Sequence, residues 1–158
     1  MTSTPHLTRR TMLLSGLAVA AVAAGPARGA GTAIHVVKGT GCECCNAWAD
    51  YLRDEGFTVT EEERYGTLLM TYKAEVSVPQ RMISCHTGMV EGYVLEGHVP
   101  AADIRRLLDE RPDAVGLAVP GMPYGSPGMG PESQREAYEV FLLRRDGSAE
   151  VYSSYPAV

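Results

Sequence analysis

AIHVVKGTGCECC, residues 33–45, is the stretch from which the fold of this chain can be worked out. Its β-branched first half predicts a strand, and the two glycines that follow predict a tight loop. From Cys44 to Glu55 apolar residues recur at helical spacing, and Gly56 comes next as a stop signal. The three cysteines of this stretch are therefore expected at the junction between a strand and a helix.

Outward from this junction, the same patterns predict one α/β domain with a fixed order of elements. The expected elements are a strand at 57–60, a helix at 67–74, a hairpin of 82–86 with 93–96, a helix at 100–110, a Gly/Pro/Met loop at 120–131 and a hairpin of 138–143 with 150–152. The order strand, helix, strand, helix, strand, strand, helix resembles the thioredoxin arrangement, and Pro79 resembles that fold's cis-proline in position. We predict a single thioredoxin-like domain at residues 31–158 with a C-terminal β-hairpin.

The first thirty residues predict an export signal. Arg9 and Arg10 precede an apolar run of about twelve residues, and small residues follow it. The paired arginines are typical of the twin-arginine route. The run is shorter than the roughly 20 residues that a helix needs to span a bilayer. We therefore predict a signal peptide at residues 1–30, no stable membrane span after its cleavage, and a periplasmic protein.

The charge of the remaining residues excludes one class of partner. The chain has 14 basic and 19 acidic side chains, and the first thirty residues hold three of the arginines and no acid. Residues 31–158 thus keep 11 basic side chains against all 19 acidic ones, a net charge of −8. Such an acidic domain repels nucleic acid and attracts cations, so we predict no nucleic-acid partner.

Four cysteines carry the chemistry of the chain, and three of them, Cys42, Cys44 and Cys45, occupy one turn. Backbone N–H groups and the dipole at a helix N-terminus stabilise thiolates, which are the metal-binding form of cysteine. Thiolates select soft ions such as copper(I), and a crowded trio with a fourth cysteine, Cys85, suits sulfur bridging between several ions. Structural zinc sites usually carry two C-x2-C pairs, and the second pair is missing. Copper is further favoured by Met122 and Met129 in a flexible loop.

Two other interpretations of the cysteines stay open. Cys42 and Cys45 also form a C-x-x-C, which in a thioredoxin-like fold is typical of an oxidoreductase acting on thiols or on copper. Cys44 complicates this interpretation, because a third thiol would compete for a mixed disulfide. In an oxidising compartment the four cysteines could instead form structural disulfides, although adjacent cysteines bridge each other only with strain.

The first hairpin predicts a fifth metal ligand. If Glu91-Gly92 is a two-residue turn, opposed residues have numbers that sum to 183, so Cys85 lies opposite His98. Opposed residues share a face with Cβ atoms roughly 4.5 to 5.5 Å apart, which suits a shared metal ion. By strand alternation His86 would face the other way, so His86→Ala would leave copper binding nearly intact.

Longer motifs resemble those of a known family. They are GCECC at 41–45 followed by Trp48, SCHT at 84–87, EGHVPA at 96–101, GLAVPGMP at 116–123 and GSPGM at 125–129. Over residues 34–152 the chain is similar to the CopG-type periplasmic copper-resistance proteins. The resemblance implies a thioredoxin-like fold, copper binding by the cysteines, and a role in copper tolerance that includes, as one option, changing the redox state of copper. It maps the metal-site positions onto Cys42, Cys44, Cys45, Cys85 and His98.

The sequence thus predicts an exported copper(I)-binding protein that sequesters copper or hands it on, with capacity for several ions per chain. Its expected partners are copper ions and other periplasmic copper-handling proteins. The number of ions, and whether the protein turns over a substrate, are left open by the sequence.

Overall fold

The computed structural model describes residues 31–158, so the predicted signal peptide at residues 1–30 lies outside them. The elements in chain order are β1 (Ala33–Lys38), α1 (Glu43–Asp54), β2 (Thr58–Glu63), α2 (Thr67–Glu75), β3 (His86–Val90), β4 (Tyr93–Glu96), α3 (Ala101–Glu110), β5 (Gly116–Ala118), β6 (Tyr138–Leu143) and β7 (Ala149–Tyr155). Within this part of the chain, no helix is both long enough and apolar enough to cross a membrane.

The strands form one seven-stranded sheet in the order β2-β1-β3-β4-β5-β6-β7. β1 pairs with β2 in parallel across α1, and β4 pairs with β5 in parallel across α3. β3 runs antiparallel to both β1 and β4, and β6 and β7 extend the sheet as an antiparallel hairpin. The α/β class and the order of the first seven elements are therefore as predicted.

Helices α1 and α3 cover one face of the sheet. Trp48 and Leu52 of α1 and Ile104 and Leu107 of α3 are fully buried in the main hydrophobic core. The two helices also contact each other, because the Tyr51 hydroxyl accepts a hydrogen bond from the backbone N–H of Ala101. This packing brings the start of α1 close to the segment between β4 and α3.

Helix α2 lies on the opposite face and is attached differently. Lys73 is its buried residue, and the ammonium group of Lys73 reaches the side chains of Thr87 and Glu96 on β3 and β4. Those two residues are directly opposed in the hairpin. Their neighbour Gly88 faces Trp48 on the α1 side, so alternation places Thr87 and Glu96 on the α2 side.

The first hairpin has the predicted turn and register but a different first strand. Glu91 and Gly92 both have positive φ, as a type I′ turn requires, and the paired residue numbers sum to 183. The strand is His86–Val90 rather than the predicted 82–86, because Gln80–Met82 form a 3-10 turn that opens at Pro79. The peptide bond before Pro79 is trans, in contrast to the cis-proline that its position resembles.

Strand β5 is an element that the sequence patterns missed. It has three residues, all buried, and lies between β4 and β6 in the interior of the sheet. A strand buried on both faces shows no alternation of polar and apolar residues, and one this short gives no periodic signal.

We predict that Gly116→Ala unfolds or strongly destabilises the protein. A Cβ atom at position 116 would lie 1.9 Å from the carbonyl oxygen of Val94, so the β4–β5 pairing would have to open. We expect a loss of at least about 3 kcal/mol in the free energy of unfolding, measured by urea denaturation. Gly147→Ala is the control: its Cβ would meet nothing within 4 Å, and its positive φ predicts a loss of about 1 kcal/mol. Equal losses would contradict the observed position of β5.

Candidate metal centre

The cysteine-rich turn forms the start of α1. Cys42 is the N-cap, and its carbonyl oxygen accepts a hydrogen bond from the backbone N–H of Asn46 at 3.2 Å. Cys44 and Cys45 follow in the first helical turn, where unpaired backbone N–H groups and the helix dipole stabilise negative charge. Gly41 has a φ of 70°, which lets the loop turn sharply between β1 and the helix.

Four sulfur atoms meet at this turn. A disulfide joins Cys42 to Cys45, and Cys44 and Cys85 are free thiols. The Sγ atom of Cys44 is 3.6 Å from that of Cys42 and 3.8 Å from that of Cys85. All four Sγ atoms lie within 4.8 Å of one another, and we call these residues the cysteine cluster. The structure thus brings together the four cysteines that the sequence singled out, and it does not pair them into two structural disulfides.

Cys85 also contacts two histidines. Its Sγ atom is 3.2 Å from Nε2 of His98 and 3.2 Å from Nδ1 of His86. The three ligand atoms form a second group in which every pair is within 4.8 Å. Cys85 therefore belongs to both groups, one made of four sulfurs and one made of a sulfur and two imidazoles.

The expectation that His86 faces away from the site is wrong, and the reason is local. Alternation holds only within a strand, and β3 begins at His86, so Cys85 lies in the bend before it. On the other side Gly97, with a φ of 72°, ends β4 before His98. The sequence signal that could have exposed this is Pro79, which opens the 3-10 turn just upstream and delays the start of the strand.

The hydrogen bonds of the two imidazoles determine which nitrogens are available. Nδ1 of His98 donates to the carbonyl oxygen of Pro127 at 2.8 Å, so Nε2 carries the lone pair that points to Cys85. A backbone carbonyl that fixes the second nitrogen in this way is the usual companion of a metal-binding histidine. In residues 31–158, Nε2 of His86 is a buried polar atom without a hydrogen-bond partner. The His86 ring packs against Trp48, with ring centres 4.3 Å apart.

Burial keeps the groups around Cys85 uncharged in the metal-free protein. It raises the pKa of the Cys85 thiol, with a contribution from Cys44, to about 12. It lowers the pKa of His98, and it lowers the pKa of His86 well below the ordinary range. Neutral imidazole is the form that binds metal, so the histidines are ready to do so, whereas Cys85 must lose its proton when a metal ion binds.

A loop of glycines and prolines covers the histidine side of the site. It includes Pro127, which holds His98, and Gly121, whose carbonyl oxygen accepts a hydrogen bond from the Ser84 hydroxyl. Met122 is exposed in this loop and Met129 is partly buried.

The arrangement of thiols makes a direct prediction about oxidised protein. Without metal, the full chain should contain one disulfide, between Cys42 and Cys45, and two free thiols; mild reduction should raise the thiol count to four. Alkylation before and after reduction, followed by peptide mass analysis, measures both counts and the linkage. A disulfide from Cys85 to any of the other three that resists mild reductant would contradict this assignment.

The chain is similar to known proteins in both sequence and fold. A protein family described as "Protein of unknown function, DUF411" matches residues 82–129, and no curated protein matches the chain. Two solved structures that match are named "Copper resistance protein copG- Form 1" and "Copper resistance protein copG- Form 2". Each is 46% identical to this chain, covers 80% of it and is itself covered to 99%, with TM-scores of 0.75 and 0.73. The chain therefore belongs to the family of CopG copper resistance proteins.

Proposed function

We propose that the protein binds copper(I) outside the cytoplasmic membrane through Cys42, Cys44, Cys45, Cys85 and His98, and sequesters the ion or hands it on. The observation that carries this proposal is the convergence of four sulfur atoms within 4.8 Å, with Cys85 Sγ also 3.2 Å from His98 Nε2. Thiolate is a soft ligand of the kind that selects copper(I), and neutral imidazole is a ligand that also suits copper. The name of the matching structures, copper resistance protein, supports the choice of copper over zinc.

Cys85 gives the site capacity for more than one ion. Its sulfur belongs both to the cysteine cluster and to the group with His86 and His98. A thiolate has several lone pairs and can bridge two metal ions. The Cys85 sulfur can therefore be shared between one ion bound mainly by the cysteine cluster and a second ion bound by Cys85 and imidazole.

The fold and the compartment are part of the same proposal. The strand order β2-β1-β3-β4, with thiols at the start of the helix after β1, supports a thioredoxin-like domain. The predicted signal peptide supports export to the periplasm, where other copper-handling proteins are the expected partners. The acidic net charge of residues 31–158 favours the approach of cations.

The disulfide between Cys42 and Cys45 sets a condition on binding. While the disulfide is present, two of the four sulfurs cannot bind metal as thiolates. Reduction of the disulfide takes two electrons and two protons and returns two thiols. The proposed copper(I)-binding form is therefore the reduced protein.

The same disulfide favours a second candidate function, a copper oxidoreductase. Two copper(II) ions could each take one electron from the Cys42 and Cys45 thiols, which gives two copper(I) ions, one disulfide and two protons. Adding copper(II) without oxygen to the reduced full chain tests this candidate. If the protein is a copper oxidoreductase, two copper(I) ions should appear for each disulfide formed. Copper(II) that remains oxidised while the thiols stay reduced would contradict this function.

We predict that the reduced full chain binds more than one copper(I) ion and that the oxidised chain binds fewer. The reason is that reduction restores two bridging thiolates to the cluster. Competition titration against a copper(I) chelator measures both stoichiometries. A plateau at zero in reduced protein, or a preference for zinc at equal availability, would contradict the proposed function.

We predict that Cys85→Ser weakens copper(I) binding about a hundredfold and His98→Ala about tenfold, because a thiolate is the softer ligand and can bridge. His86→Phe keeps an aromatic ring against Trp48 but removes both ring nitrogens. Because Nδ1 of His86 contacts Sγ of Cys85, we expect the variant to lose about as much copper(I) affinity as His98→Ala. This replaces the expectation, drawn from strand alternation, that His86 does not affect copper binding.

His35→Ala is the matched control for these variants. His35 lies in β1, is partly exposed, and hydrogen-bonds to Thr60 and Glu62 away from the cysteines. Its loss should leave the copper affinity unchanged. Equal weakening by His35→Ala and His98→Ala in folded protein would show that the affinity does not report on the proposed ligands.

A further inference from the structure

A buried ion pair lies directly beneath the segment that carries Cys85. The side chains of Lys73 and Glu96 are 1% and 0% exposed, and Nζ of Lys73 is 2.6 Å from Oε1 of Glu96. Oε1 of Glu96 also accepts the backbone N–H of Ser84 at 2.6 Å, and Oε2 accepts the hydroxyl of Thr87 at 2.6 Å. Lys73 donates a second hydrogen bond to Thr87 Oγ1 at 2.9 Å.

This network contacts both sides of Cys85 in the chain. Ser84 precedes Cys85, and Thr87 lies two residues after it. Cys85 itself precedes β3, so no strand pairing fixes its backbone. The hydrogen bond from the Ser84 N–H to a buried carboxylate is charge-assisted and therefore stronger than a bond to a neutral acceptor. It holds the backbone immediately before Cys85 where the regular sheet no longer does.

Stability alone does not account for a buried ion pair. Removing two charges from water is costly, and apolar side chains of the same size often stabilise a core equally well or better. An apolar residue at position 96 would, however, leave the Ser84 N–H without its acceptor. The carboxylate thus supplies what apolar packing cannot, a hydrogen-bond acceptor in a fixed position for the backbone N–H of Ser84.

We propose that Glu96 is a positioning residue for Cys85, acting through the backbone N–H of Ser84, with Lys73 of α2 as the counter-charge that lets the carboxylate remain buried. Glu96 itself would not contact the metal ion. It places the sulfur that is shared by the cysteine cluster and the two histidines. The inference rests on the proposed copper-binding function for its affinity readout, and its second readout needs no metal.

The test compares two double variants that both lack the buried charges. Lys73→Met with Glu96→Gln keeps a side-chain oxygen that can accept the Ser84 N–H, whereas Lys73→Met with Glu96→Leu has no acceptor. Neither leaves an unpaired charge in the core, so both are expected to fold. If the leucine variant does not fold, Glu96→Met takes its place, because a flexible side chain fills the same space without an acceptor.

The first readout is the rate at which Cys85 is alkylated in the reduced, metal-free full chain. Peptide mass analysis measures this rate. We expect the leucine variant to react about fivefold faster at Cys85 than the glutamine variant, with the Cys44 rate unchanged within about twofold. The second readout is copper(I) affinity, which should fall about tenfold or more in the leucine variant alone, as is usual when the support of a metal ligand is removed.

Asp103→Leu is the control for general destabilisation. Asp103 is another buried carboxylate, which accepts hydrogen bonds from the hydroxyls of Ser153 and Tyr155 on the far side of α3. Its loss should lower the stability but leave the Cys85 alkylation rate unchanged.

The outcomes separate the inference from the proposed function. Equal Cys85 rates and equal copper affinities in the two folded double variants would overturn the positioning role. A glutamine variant that is folded yet loses copper affinity as strongly as the leucine variant would overturn it as well. If the wild-type chain binds no copper(I), the proposed function fails, and the alkylation rates still decide the role of Glu96.

Discussion

The packing of Trp48 is the interaction on which the rest of the site depends. Trp48 is fully buried, its indole N–H donates to the carbonyl oxygen of Val99 at 3.0 Å, and its ring lies against His86. Gly88 leaves room for the ring, since a Cβ there would lie 3.3 Å from it, and Gly128 lets its loop approach α1, since a Cβ there would lie 2.6 Å from the backbone nitrogen of Trp48. Truncation of a buried tryptophan to alanine typically costs about 3 to 5 kcal/mol. Here it would also remove the aromatic contact between α1 and His86 of the hairpin.

Beyond that contact, the site combines apolar surroundings with a few polar groups that are held in place. Cys85, His86 and His98 are kept neutral by burial, while the charges beneath them, Lys73 and Glu96, neutralise each other. Burial raises the pKa of the Cys85 thiol, so copper(I) bound there as proposed would have to displace a proton, and its affinity would rise with pH.

Much of this could be predicted from the sequence, and the failures have physical causes. The spacing around Cys42 gave the helix start, and Gly92 gave the turn and hence the register that brings Cys85 and His98 together. The register was correct, but the assumption that alternation continues past the strand end was not, and it misplaced His86. β5 was missed because a short strand buried on both faces has no pattern. The role of Glu96 is invisible in sequence, since it depends on an acceptor that meets one backbone N–H across the hairpin.

X-ray absorption spectroscopy at the copper edge, on reduced full chain loaded with copper(I), would identify the atoms that bind the ion. We expect a first coordination shell dominated by sulfur, with a smaller nitrogen contribution that declines in His98→Ala, and a copper–copper distance that indicates bridging thiolates. A shell made only of nitrogen and oxygen, or a sulfur shell that is unchanged in Cys85→Ser, would contradict the proposed site.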